Sequence, residues 1–323
     1  MGLRVFLPPL LASLLVSAGA GARPAASPPL SFSLFAQTGL QLGGIVWTGT
    51  RFIYVPETTG ELRAGDVTGR QVIDFARIDP RGEETRCVHL RAAYGFARGL
   101  YCHTPDNRIL RLSDDGTTIE DFARLPSEAN ASDGALAFDT GSKFGHALVA
   151  ATGGSAVAGG EVYAVDASRS VTRIGSYSGP GGAENVAIAP AGFGPVSSQL
   201  LLTIDDSDHN GRLLAMAPNG SVSTLLSGLA WGLNPIAVLT RGRSLGAVRR
   251  GLYLADWETR NVYFLPGEKL RPYLGRVLVG TERDAHLYVV RYRGGRYRAK
   301  RLTTNLSTLA PSYNLEGALF LDG

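Results

Sequence analysis

Six times the sequence opens a short apolar run with a polar or small pair: "GGIVW" from Gly43, "RCVHL" from Arg86, "DGALAF" from Asp133, "ENVAI" from Glu184, "NPIAV" from Asn234 and "EGALF" from Glu316. Six times it also writes a strand, a polar turn and a second strand, beginning at Phe52, Gly99, Ala147, Leu200, Gly251 and Val277. These units recur at roughly 40 to 50 residues, the period of four-stranded propeller blades. Continuous apolar runs suit strands buried on both faces, so the first class supplies each blade's innermost strand A and the second class strands B and C. Stretches such as "QVIDFARI", "TIEDFARL", "VTRIGSY" and "VSTLLSG" follow as strand D. No long stretch has the spacing of an amphipathic helix, and a chain of 323 residues, 44% hydrophobic and 19% charged, can bury a large core. The expected fold is an all-β, six-bladed propeller over residues 30–323.

The two classes match in number but not in order. Between the turns of the fifth and sixth hairpins, at Asp256 and Glu282, only about half a repeat of sequence is available, so the sixth hairpin lacks an inner strand there. The surplus inner strand is "EGALF", at the far end of the chain. A closed propeller joins its ends to remove sheet edges, which predicts that the C-terminal strand enters the centre of the closing blade. The N-terminal "LSFSLFAQ", Leu30 to Gln37, is expected to add another strand to that closure.

The first 22 residues have a basic start, an apolar stretch and small residues at Ala20 and Ala22, the pattern of a cleaved secretory signal. Pro8, Pro9 and the glycines interrupt it as a membrane span, which needs roughly 20 apolar residues, and no later segment is apolar enough to cross. Residues 23–29 read as a disordered linker. The expected location is secreted or periplasmic. An even count of two cysteines suits that compartment. Cys87 opens strand A of blade two and Cys102 ends strand B, which antiparallel pairing brings within disulfide reach. The net charge of +4 owes much to "RYRGGRYRAKR", Arg291 to Arg301, read as an outer strand pair with basic side chains facing water and not as a nucleic-acid site. Sequons at Asn130, Asn219 and Asn305 fit surface turns.

Inner strands converge on a central channel, so Gly43, Arg86, Asp133, Glu184, Asn234 and Glu316 are expected near one mouth. Three carboxylates around a narrow pore repel one another unless neutralised. A hard cation with oxygen ligands, Ca²⁺ before Mg²⁺, is one solution. Turn-forming carboxylates paired with Arg86 across the pore are the other.

"SDGALAFD", "NLEGALF", hairpins such as "GLYLADWETRNVYFL", and "IAPAGFGP" followed by "SSQLLLT" resemble the calcium-dependent six-bladed propellers of the senescence-marker-protein and gluconolactonase family, with strictosidine-synthase-like and NHL-repeat proteins as neighbours. The resemblance implies metal ligands at Glu316, Asn234 and Asp133, with Glu184 a fourth, and implies that Asp133 also serves the chemistry. Gly43 and Gly44 stand where the family carries a Glu, and Arg86 comes close to the implied ion. On this reading the protein is an exported metal-dependent hydrolase that opens a lactone or ester, with Asp133 as base and Arg86 and Trp231 holding substrate. The alternative is a non-enzymatic propeller that binds an extracellular protein or glycan.

Overall fold

The structure, a computed structural model, describes residues 29–79, 84–126, 134–153, 159–205, 210–229, 232–242, 247–282, 284–309 and 314–322. After β1 (Ser33–Gln37), blade one is β2 (Leu42–Trp47), β3 (Phe52–Pro56), β4 (Glu61–Gly65) and β5 (Val72–Arg77). Blade two is β6 (Arg86–Leu90), β7 (Gly99–His103), β8 (Arg108–Leu112) and β9 (Ile119–Arg124). Blade three is β10 (Ala135–Phe138), β11 (Leu148–Ala151), β12 (Gly160–Val165) and β13 (Val171–Tyr177). Blade four is β14 (Gly182–Ile188), β15 (Leu200–Asp205), β16 (Gly211–Met216) and β17 (Val222–Leu229). Blade five is β18 (Leu233–Leu239), β21 (Arg276–Thr281), β22 (Leu287–Arg293) and β23 (Arg296–Arg301), and the remaining strands are β19 (Gly251–Asp256), β20 (Asn261–Pro266) and β24 (Leu315–Leu321). All sheet pairings are antiparallel, and the six four-stranded sheets make a six-bladed β-propeller with β2, β6, β10, β14, β18 and β24 innermost.

Each gap between adjacent blades holds one apolar cluster. Strand alternation makes this possible: Leu100 and Cys102 of β7 pack toward blade one, while Tyr101 between them packs toward blade three. Second strands are therefore largely apolar, with polar residues mainly at their ends, and all five residues of β3 and of β7 are buried. Outer strands are covered on one side only, and β5 and β17 are largely exposed or half-buried.

The closing blade has the order β24, β19, β20, β1. As expected, the C-terminal strand is innermost; Leu252 of β19 pairs with Phe320 and Leu254 with Ala318. The N-terminal strand adds the outer edge, with Ser33 opposite Phe264 and Gln37 opposite Asn261. The inner partners of the last two hairpins differ from the sequence expectation. "NPIAV" does not feed the fifth hairpin, β19–β20, but the sixth, with Val238 opposite Val277, and "EGALF" feeds the fifth. The reason lies in residues 267–275. A 3₁₀ segment, Gly267–Tyr273, carries the chain back to blade five, where Gly275 N–H donates to the Leu239 carbonyl at 2.6 Å. The half repeat is thus a return path, and the hairpin β19–β20 is nested between the first and second strands of blade five.

The predicted disulfide is present. Cys87 and Cys102 are direct cross-strand partners in β6 and β7, with Cα atoms 4.1 Å apart. Among the sequons, Asn219 is in an exposed turn and Asn130 lies outside the described residues. Asn305 departs from the surface-turn expectation: its side chain accepts from Phe32 N–H at 2.7 Å and donates to Phe32 O at 3.1 Å, tying down the N-terminal segment. The signal segment, residues 1–22, and most of the linker lie outside the described residues, among which no helix is long and apolar enough to cross a membrane.

Candidate functional site at the channel mouth

The first residues of the inner strands gather at one end of the channel. Arg86, at the start of β6, is 4% exposed, and Glu184, Asn234 and Glu316 are at most 2% exposed. Gly43, one residue into β2, makes room for the arginine: a Cβ there would lie 2.6 Å from Arg86 Nη1. The glycine that departs from the resembled family and the arginine that departs from it thus occupy one space.

Arg86 Nη2 is the hub. It sits 3.3 Å from Glu316 Oε2, 2.5 Å from Glu84 Oε2 and donates to Asn234 Oδ1 at 3.3 Å. Asn234 Nδ2 donates to Glu316 Oε2 and, at 3.3 Å, to Glu282 Oε1. Asn185 Nδ2 donates to Asn234 Oδ1 at 2.7 Å and to the Glu316 carbonyl at 3.2 Å. Thr203 bridges blades four and five by donating to the carbonyls of Asn185 and Asn234. Glu84 reaches the hub from a left-handed backbone, φ 63°, fixed by its N–H to the Glu57 carbonyl at 2.9 Å. A non-glycine residue held there marks a position over-determined by its surroundings.

Six carboxyl groups meet at this mouth in two sets, Glu57, Glu84 and Glu316, and Glu184, Asp205 and Glu282; within each set the oxygens lie within 4.8 Å of one another. Asn234 stands between the sets, bonded to Glu282 and Glu316. Burial pushes the Glu316 carboxyl well above its ordinary range, and Glu57, Glu282 and Glu84 push it further, with Arg86 opposing. Burial also opposes the charge on Arg86, but Glu84, Glu316, Glu184 and Glu57 outweigh it and hold its pKa above the ordinary value. Its Nε and Nη1 have no hydrogen-bond partner among the described residues.

Below the mouth lies a channel cavity of about 290 Å³. Arg86 and Asn185 border one end, Val88, Leu136 and Ile236 line the wall, and Trp47 and His89 stand toward the other end. His89 is held by Asp114, 2.9 Å from its Nε2, and burial lowers its pKa.

The structure thus brings together Arg86, Glu184, Asn234 and Glu316 as the sequence predicts. Asp133 and Trp231 lie outside the described residues, so the base and the second substrate contact remain expectations. Sequence reasoning missed Glu57, Glu84, Asn185, Asp205 and Glu282. Glu57, Asp205 and Glu282 share a signal: each ends or directly follows a second strand, in "YVPE", "LTID" and "VGTE". Antiparallel pairing sets those ends beside the first residues of the inner strands. In comparison with known proteins, no family model and no curated protein matches the chain.

Proposed function

We propose that the protein is an exported hydrolase that depends on a divalent cation and opens a lactone or ester at the acidic mouth of the propeller, as the resemblance to gluconolactonase-like proteins implies. The observation that carries this reading is the gathering of charge: six buried or half-buried carboxyls lie at the mouth, and four of them act on the Arg86 guanidinium. The donors are all oxygens, the set that hard cations such as Ca²⁺ prefer, so the residues fit the ion. Glu184, Asp205 and Glu282 would hold it, or Glu316, Glu57 and Glu84, with Asn234 serving either set. When bound, such an ion polarises an ester carbonyl and acidifies a water. Arg86 offers Nε and Nη1 to a substrate oxygen by charge-assisted bonds, and the apolar channel wall accepts a small acyl body while excluding water. Asp133 is the proposed base and Trp231 a further substrate contact. The disulfide Cys87–Cys102 supports an oxidising compartment.

One observation favours a second reading, a non-enzymatic propeller that binds a protein or glycan: Arg86 already pairs with Glu84 and Glu316 across the pore. Calcium decides between them. The hydrolase reading expects about one bound ion per chain, a higher melting temperature on calcium addition, and loss of both in Glu316→Gln or in Glu282→Gln, according to which set holds the ion. It also expects turnover of sugar lactones or aryl esters that Asp133→Ala abolishes. Metal-free protein whose melting ignores calcium, with no turnover, overturns it and leaves the binding module.

A further inference from the structure

On the flank of blade five, far from the acidic network in chemical character, arginines oppose one another across strands. Arg291 of β22 is directly opposite Arg298 of β23, and Arg293 is opposite Arg296. Val277 of β21 is opposite Val290, so continuing that register by one residue sets Arg276 beside Arg291. Residues at alternate positions share a face, so Arg276, Arg291 and Arg298 form a row across three strands and Arg293 and Arg296 extend it. Like charges directly opposite one another destabilise a sheet.

Elsewhere in the propeller several strand-borne arginines are matched: Arg63 with Asp74, Arg77 with Glu61, Arg111 with Glu120 and Arg173 with Glu161. Among the described residues no ion pair involves the five arginines of this flank. Protection of an exposed edge does not account for them, because β1 and β17 close their blades without any charged residue. Three of the five, Arg276, Arg291 and Arg293, line one cavity of about 390 Å³, together with Phe193 and Tyr292 and with no acidic residue. Arg291 Nε is buried and has no hydrogen-bond partner among the described residues.

We propose that this cavity, at the end of blade five beside Phe193, binds a phosphate-type dianion, as a free ion, a phosphate ester or a lipid headgroup. Three arginines on one cavity carry more charge than a single carboxylate can neutralise. A dianion with three acceptor oxygens matches their charge and their forked donors. This site is separate from the channel mouth and independent of the hydrolase reading.

The test uses the full chain and inorganic phosphate. Phosphate raises the melting temperature more than chloride at equal ionic strength, and calorimetric titration gives saturable binding. Arg291→Gln/Arg293→Gln weakens that binding at least about tenfold. Arg293→Gln alone, at the exposed end of β22, provides a folded control that also binds more weakly. A sugar phosphate that binds as phosphate does identifies an ester; retention on phosphatidylcholine vesicles containing phosphatidylglycerol, lost in the double variant, identifies a headgroup. Equal effects of phosphate and chloride, or full phosphate binding by the double variant, overturn the proposal.

Discussion

Arg86 and Gly43 show how one side chain sets the character of the mouth. A guanidinium enters the pore only because the neighbouring blade has no Cβ at Gly43, and once there it partly compensates carboxyls that burial would otherwise force to hold protons. His103, at the end of β7, is a buried counterpart whose compensation, from Ala135 O, Asn107 and Asp106, falls short of the cost of burial. Burial takes its pKa from the ordinary 6.5 down to about 4, although Ala135 O lies 3.3 Å from Nδ1. Between those values the unfolded chain binds the proton and the folded one does not, so stability is lost as pH falls from 6.5 to 4. Asp256 acts in the opposite sense. Burial raises its carboxyl to about 6 despite backbone N–H donors from Glu258, Thr259 and Asn314, so its contribution is lost as pH rises through 6. Comparing wild type with His103→Asn cancels the aspartate. The stability advantage of wild type is expected to shrink by about 3 kcal/mol between pH 7 and pH 4 in urea titrations. A difference independent of pH would remove His103 as the cause.

At the scale of the element, β6 and β7 are joined by the disulfide as well as by their ladder. The bridge closes a hairpin with a sequence separation of 15. A loop of that length predicts a cost of about 3 kcal/mol when Cys87 and Cys102 are both replaced by Ser, measured as the shift in denaturation midpoint at constant slope. The pairing was legible because strand A and strand B are neighbours with opposite direction, which sets the start of one beside the end of the other. Glu316, Asn234, Glu184 and Arg86 were legible for a related reason: each opens an inner strand, and inner strands share one channel. Glu57, Asp205 and Glu282 were less visible because they sit beside turns, where acidic residues are common for purely local reasons.

The whole molecule is closed by two chain ends on one hairpin. β24 supplies the innermost strand and β1 the outermost, with Phe35 of β1 packed against Phe52 of blade one and Tyr253 of β19. Nesting β19–β20 inside blade five interlocks the last two blades, so neither sheet is complete as a continuous stretch of sequence. Deleting residues 315–323 removes an inner strand, the buried carboxyl of Glu316 and the seal between blade five and blade one. The truncated chain is expected to lose its single cooperative melting transition in calorimetry; unchanged melting would mean that the ring does not depend on this closure. The sequence by itself determined the strand content, the number of blades, the ends that close the ring and the residues that open each inner strand, because alternation and period are written locally. Only the tertiary structure decided which inner strand serves which of the last two hairpins, and that Arg86 occupies the space beside Gly43. The two inner strands are equally apolar and contact between neighbouring blades is not written locally, so only the geometry of a closed ring decides either.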